Sequence, residues 1–174
     1  MGFDVYGMNP KMNKSKEEFK TLYKYDVTIG ESEEAKDNWS YKWNKLESAS
    51  QRTQDAYWKQ HGDFEASNPG VYFRNNVWWW RPLWDYIYNA TDLISEKEWN
   101  DGHMNDGLEI DEDRAKKIAE YLDYALRSGE VKDYEKEYRN MSESNENPYD
   151  YPFSEENVRE FAMFCHESGG FQIC

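Results

Sequence analysis

The side chains best equipped for chemistry lie in one stretch: Phe73, Arg74, Asn75, Asn76, Trp78, Trp79, Trp80 and Arg81, with Trp84 just beyond. Indole faces stack on planar or cationic groups, guanidinium forks anchor carboxylates or phosphates, and Asn amides both donate and accept hydrogen bonds. Three consecutive tryptophans cannot share one core. Successive side chains lie about 100° apart on a helix and alternate on a strand. At least one of Trp78, Trp79 and Trp80 must therefore border a surface, a pocket or an interface. These nine residues form the expected ligand-binding set, with stacking from the rings, anchoring from Arg and readout from Asn. The competing reading is a core junction, where Arg covers an aromatic cluster and Asn bonds a turn.

Other sets fit catalysis or metal binding less well. Asp101, His103, Asp106, Glu109 and Asp111 cluster in sequence and would serve a metal-dependent hydrolase, the weakest of the functional readings. An EF-hand needs acidic oxygens at its first, third and fifth loop positions and glycine at its sixth. Setting Gly107 at the sixth puts Gly102 and Met104 at the first and third, so the pattern fails. One His among carboxylates also lacks a spaced partner for zinc. Cys165 and His166 are adjacent and would point apart on a helix, which suits a core thiol better than a nucleophile and its base. His61 reads as a surface residue. The chain has no Gly-x-Ser-x-Gly, phosphate loop or dinucleotide fingerprint. No catalytic residue, metal site or cofactor is expected, and a non-enzymatic role is favoured.

These residues must be positioned by helices. Phe19, Leu22 and Tyr23 mark a helix over 15–25. Trp39, Trp43, Leu46, Ala49, Thr53, Ala56 and Tyr57 keep one stripe from about Ser32 to Gln60, within a long polar and aromatic helix over 31–66. Residues 71–94 form the aromatic core segment: Val71 to Phe73 is briefly extended, and Pro82 suits a helix's first turn. An acidic loop over 95–110 follows. Asp111 caps a helix carrying Ala115, Ile118, Leu122 and Ala125, stopped at Gly129. A more polar helix runs from Val131 to Met141, and 142–152 is a linker. Ser154 caps a last helix with Val158, Phe161, Ala162 and Cys165 on one face. Phe3 to Tyr6 and Phe171 to Cys174 alternate in polarity and are expected to pair, joining the chain ends. The predicted fold is mainly α: one domain over 1–174, about four to six helices, and short terminal strands.

The composition bounds the function. A chain of 174 residues supports one domain with a real core. Its mean hydropathy of -1.13 suggests disorder, but 8 Trp, 14 Tyr and 8 Phe supply large buried area. The net charge is -14, and residues 95–113 and 141–174 supply nearly all of it. That disfavours direct nucleic-acid or anionic membrane binding and suits either solubility or docking on a basic protein. No apolar run approaches the roughly 18–20 residues of a membrane span. Neither a secretory signal nor a myristoylation site is read at Met1 to Tyr6, so a cytoplasmic location is expected.

Met1 to Gly7, the block Asn68 to Trp84 and the ending Ser168 to Cys174 resemble small proteins encoded by tailed bacteriophages. Asn105-Asp106-Gly107 belongs to the same pattern, whereas the acidic, Trp-bearing 31–66 segment departs from it. The resemblance implies a phage origin and a bacterial host cytoplasm. The family carries no settled activity, so it assigns no catalytic residue. The leading expectation is a counter-defence protein that sequesters a small host molecule, a nucleotide-type immune signal, between tryptophan faces and arginines. The alternative is an acidic inhibitor or nucleic-acid mimic that docks on a basic host protein. Aromatics at Trp39, Trp43 and Trp58 also suggest self-pairing as a homodimer.

Overall fold

In a computed structural model the described residues are 2–26, 39–143 and 151–174. The chain is mainly helical with a small antiparallel sheet. By its contacts it divides into two compact units, Met1–Lys11 with Pro69–Cys174, and Met12–Asn68.

The first unit is built on a sheet of four short strands: β1 (Gly2–Gly7), β2 (Tyr72–Asn76), β3 (Leu108–Ile110) and β4 (Phe171–Ile173). Their order is β2-β1-β4-β3. The terminal strands pair as expected, with Val5 opposite Ile173 and Tyr6 opposite Gln172. Asp4 and Cys174 exchange backbone hydrogen bonds of 3.0 and 2.8 Å. Alternation places Phe3, Val5, Phe73, Ile110, Phe171 and Ile173 in the core. The opposite face carries Asp4, Tyr6, Tyr72 and Arg74.

Among the described residues this unit has five helices, α4 (Val77–Ala90), α5 (Glu96–Asp101), α6 (Glu112–Ser128), α7 (Glu130–Glu143) and α8 (Glu155–Glu167), of which α4 and α8 lie against the sheet. Asp111 caps α6 by accepting from the Arg114 amide at 2.9 Å, and Gly129 ends it at φ 90°, where a side chain would be strained. Ser154 caps α8. The apolar stripes of α6 and α8 face each other: Ile118, Ala119 and Leu122 are fully buried, as are Val158 and Phe161. α7 contributes Val131, the Tyr134 ring, which packs with Tyr86 and Phe153, and the Tyr138 ring, which packs with Phe153.

The second unit holds α1 (Lys20–Asp26), α2 (Trp39–Glu47) and α3 (Gln51–Ser67), after a 3-10 turn at Lys16–Glu18. Among the described residues, Leu22, Tyr25, Leu46 and Phe64 are its buried apolar ones. Two polar side chains fasten it. Gln60 Oε1 accepts from the amides of Thr21 and Leu22 at 2.7 and 3.1 Å, satisfying donors in the first turn of α1. The fully buried Asn68 accepts from the Asn13 and Lys14 amides and donates to the Lys14 and Phe64 carbonyls.

Four expectations are corrected. Eight α-helices stand among the described residues, more than the four to six expected. Within 31–66, the helical path breaks after Glu47 and restarts at Gln51, because Ser50 turns extended and caps α3. The 95–110 loop instead contains α5, started by a reciprocal Ser95–Glu98 capping box, and the strand β3. Pro82 lies inside α4 rather than in its first turn, since Asn76 already caps the helix. Its missing amide leaves the Trp78 carbonyl without an i+4 donor. The start of the 31–66 segment and most of the 142–152 linker lie outside the described residues.

Candidate functional site

The junction of β2 and α4 fixes every residue of the expected set. Phe73 points into the core against Phe161 and Phe164, at centroid distances of 5.1 and 5.8 Å. Asn75 is buried and donates to Asn157 Oδ1 at 2.8 Å. Asn76 Oδ1 accepts from the Trp78 and Trp79 amides at 3.0 and 3.2 Å, so its side chain is spent as the α4 cap. Trp80 and Trp84 are fully buried and stacked at 5.5 Å, with Phe3 on the other side of Trp80. Trp80 Nε1 donates to the Gly102 carbonyl at 2.8 Å and Trp84 Nε1 to the Trp99 carbonyl at 3.2 Å. A Cβ on Gly102 would sit 2.3 Å from Trp84 Nε1, so glycine is what lets α5 close over these indoles.

Trp78 breaks the pattern. It is 52% exposed and meets Tyr151 edge-on at 5.0 Å. Arg81 Nη1 donates to the Tyr151 hydroxyl at 3.4 Å, while Arg81 Nε is enclosed with no hydrogen-bond acceptor among the described residues. Trp79 is half-buried. Arg74 is exposed on the outer sheet face, 3.7 Å from Asp4, whose carboxylate accepts from Tyr72. The argument that three consecutive indoles cannot all hide is met by Trp78. The nine residues do not converge on one pocket, because Phe73, Asn75, Trp80 and Trp84 belong to the core and Arg74 lies on the opposite side of β2 from Phe73.

Three of the eight acidic residues of 95–113 form ion pairs within the chain. Glu98 pairs with Arg114, which also holds Asp111 at 2.8 Å, and Asp101 pairs with Lys97 at 2.6 Å. Burial alone would raise the Glu98 pKa, but bonds from Arg114 and the Ser95 amide outweigh it and hold the carboxyl at about 2. His103 is fixed by the Trp99 carbonyl at 2.8 Å and faces Asp85 at 3.3 Å. Among the described residues no three His, Cys, Asp or Glu side chains gather to hold a metal. Cys165 is buried in the core, which pushes its thiol pKa well up, and its neighbour His166 turns instead to Asp123 at 2.8 Å. Both cysteines are free.

The second unit contains an aromatic cleft of about 220 Å³. Tyr25 and Asp26 at the end of α1, Lys42, Trp43 and Leu46 on α2, and Tyr57, Trp58 and His61 on α3 line it. Helical spacing explains each contribution. Trp43 and Leu46 lie one turn apart on α2, as do Tyr57 and Trp58 with His61 on α3. Trp43 and Trp58 are 41% and 50% exposed, and their centroids are 6.2 Å apart. Asp26 anchors the arrangement, accepting from the Tyr57 hydroxyl and from Lys16 Nζ, each at 2.7 Å. Burial and then this carboxylate push the Tyr57 pKa far up, so it stays a neutral phenol. His61 Nδ1 lies 3.4 Å from Glu65, which raises the imidazole pKa.

Trp43 and Tyr57 were visible in the sequence on the helical stripe, and Trp43 and Trp58 as a self-pairing surface. The side chain of Trp39 lies outside the described ones. None of the lining residues belonged to the expected ligand-binding set, and Tyr25 and Asp26 were hidden altogether, because nothing in local spacing joins the end of α1 to a helix thirty residues on. No helix among the described residues is long and apolar enough to cross a membrane. Comparisons with protein-family models, curated proteins and solved structures return no match.

Proposed function

We propose that the protein is a non-enzymatic accessory protein that captures a small organic molecule in the aromatic cleft of its second unit. The cleft itself carries this reading: four aromatic side chains line about 220 Å³, and two tryptophans stay roughly half exposed there. Mostly apolar walls with a few placed polar groups are the usual make-up of a ligand site. Binding is favoured over turnover because the described residues of the lining include no Ser, Thr or Cys nucleophile, and its carboxylate is already held by Lys16 and Tyr57. The sequence resemblance to phage-encoded proteins supports a role in an infected bacterium, where capture would withdraw a host signal.

The volume falls below the roughly 300–1,000 Å³ of drug-sized sites. A dinucleotide would therefore insert only one of its groups. The nucleotide-type ligand expected at Trp78 to Arg81 becomes one arm of the test. Thermal shift and calorimetry with AMP, ADP-ribose, a cyclic dinucleotide and simple amines, on the wild type and Trp58→Ala, decide the matter. At least one class should raise the melting temperature of the wild type and lose most of that effect in the variant. Equal stabilisation of both proteins, or no shift with any class, overturns the reading.

A further inference from the structure

The walls of the cleft are steeply inclined to one another. Trp43 and Trp58 meet at 58°, Tyr57 and Trp58 at 85° with centroids 5.0 Å apart, and Tyr25 and Tyr57 at 81°. None of these pairs is parallel. A flat heterocycle held between two rings needs parallel faces, with itself as the middle layer. Inclined rings instead suit a compact, rounded group, to which any ring face turned toward it presents the negative side of its quadrupole.

Two further observations point to positive charge. The Tyr57 hydroxyl donates to Asp26 at 2.7 Å, which pushes electron density into the ring and strengthens its attraction for a cation. Ammonium groups already sit over rings in this unit: Lys24 lies 5.5 Å from the Tyr25 centroid and Lys16 lies 5.3 Å from that of Phe64. Basic side chains border the lining too, and two of them face carboxylates. Glu65 faces His61, and Asp26 is shared with Lys16. Among the described residues that leaves Lys42 of the lining, and Lys24 over the Tyr25 ring, as the cations a positively charged ligand would meet.

We infer that the cleft receives a methylated ammonium group, enclosed by Trp43, Tyr57 and Trp58 with Asp26 supplying the nearby negative charge. This rests on the cleft being the ligand site, and it names the chemistry that the site selects. Choline, its uncharged isostere 3,3-dimethylbutan-1-ol, and AMP separate shape, charge and flat stacking. Calorimetry should show choline binding at least about tenfold more tightly than the isostere, the scale expected when two or three faces each contribute about 0.5–1 kcal/mol. Trp58→Ala should abolish the preference and Trp58→Phe should keep part of it. Lys42→Gln should tighten choline binding about two- to fivefold by removing a like charge.

Equal binding of choline and the isostere overturns the inference, as does loosened choline binding in Lys42→Gln. Binding of AMP alone, weakened by Trp58→Ala, overturns it while leaving the cleft as the ligand site. If none of the three binds the wild type, the methylated-ammonium inference fails, and the cleft reading then stands or falls on the wider ligand series.

Discussion

Replacing Trp80 with alanine should cost the first unit far more than replacing Trp78, although the two indoles are neighbours in an unbroken run. Trp80 is fully buried between Phe3 and Trp84, and its Nε1 satisfies the Gly102 carbonyl. A buried Trp covers about 150–250 Å², worth about 4–6 kcal/mol at ~25 cal/mol per Å² and less once residual burial in the unfolded chain is allowed for. Cavity formation and the orphaned carbonyl bring Trp80→Ala to about 4 kcal/mol. Trp78 is 52% exposed, so the same bookkeeping gives about 1–2 kcal/mol for Trp78→Ala. Native-state hydrogen exchange reads this within the unit, at the Leu122 amide of α6 and the Asp4 and Cys174 amides that join the strands. Each ~1.4 kcal/mol is tenfold, so exchange in Trp80→Ala should be faster by roughly three orders of magnitude, and in Trp78→Ala by about tenfold. If Trp80→Ala exchanges within about threefold of the wild type, or Trp78→Ala is the more damaging, Trp80 is not the core residue described above.

Three further expectations concern stability. Asn76→Ala removes the acceptor of two amides at the start of α4 and should lower stability by about 1–2 kcal/mol, measured by urea unfolding. Gly102→Ala places a methyl 2.3 Å from Trp84 Nε1 and should destabilise by about 1–3 kcal/mol, with a shift of the Trp84 indole resonance. The Glu98 pKa is depressed in the folded state, from 4.5 to about 2. Its contribution is therefore complete above about pH 4.5 and is lost as pH falls toward 2. After allowance for solvent screening it amounts to about 1–2 kcal/mol, and Glu98→Gln should flatten that part of the stability profile.

The sequence made some of this fold legible and concealed the rest for identifiable reasons. Asp111 and Ser154 announced α6 and α8 because caps are local chemistry, and the alternating ends announced the pairing of β1 with β4. β3 was hidden, since three residues are too few to show alternation. The break between α2 and α3 was hidden because Leu46, Ala49 and Thr53 continue the stripe across Ser48 to Ser50. α5 was legible in principle: Ser95-Glu96-Lys97-Glu98 is a capping-box spelling, masked by the acidity around it. At the tryptophan block, geometry showed that not every ring could hide, but not which ones did. That depended on Gly102 closing over Trp84 from another helix. The cleft was least legible, because Tyr25 and Asp26 meet Trp43 and Tyr57 only through tertiary packing.

The most direct test of where ligand binds is the indole N–H spectrum of the assigned tryptophans while choline and then AMP are titrated into the wild-type protein. Capture in the second unit predicts that the Trp43 and Trp58 resonances move together with the ligand that binds, while those of Trp80 and Trp84 stay fixed. Movement of Trp78 or Trp79 with Trp43 and Trp58 unmoved would contradict it.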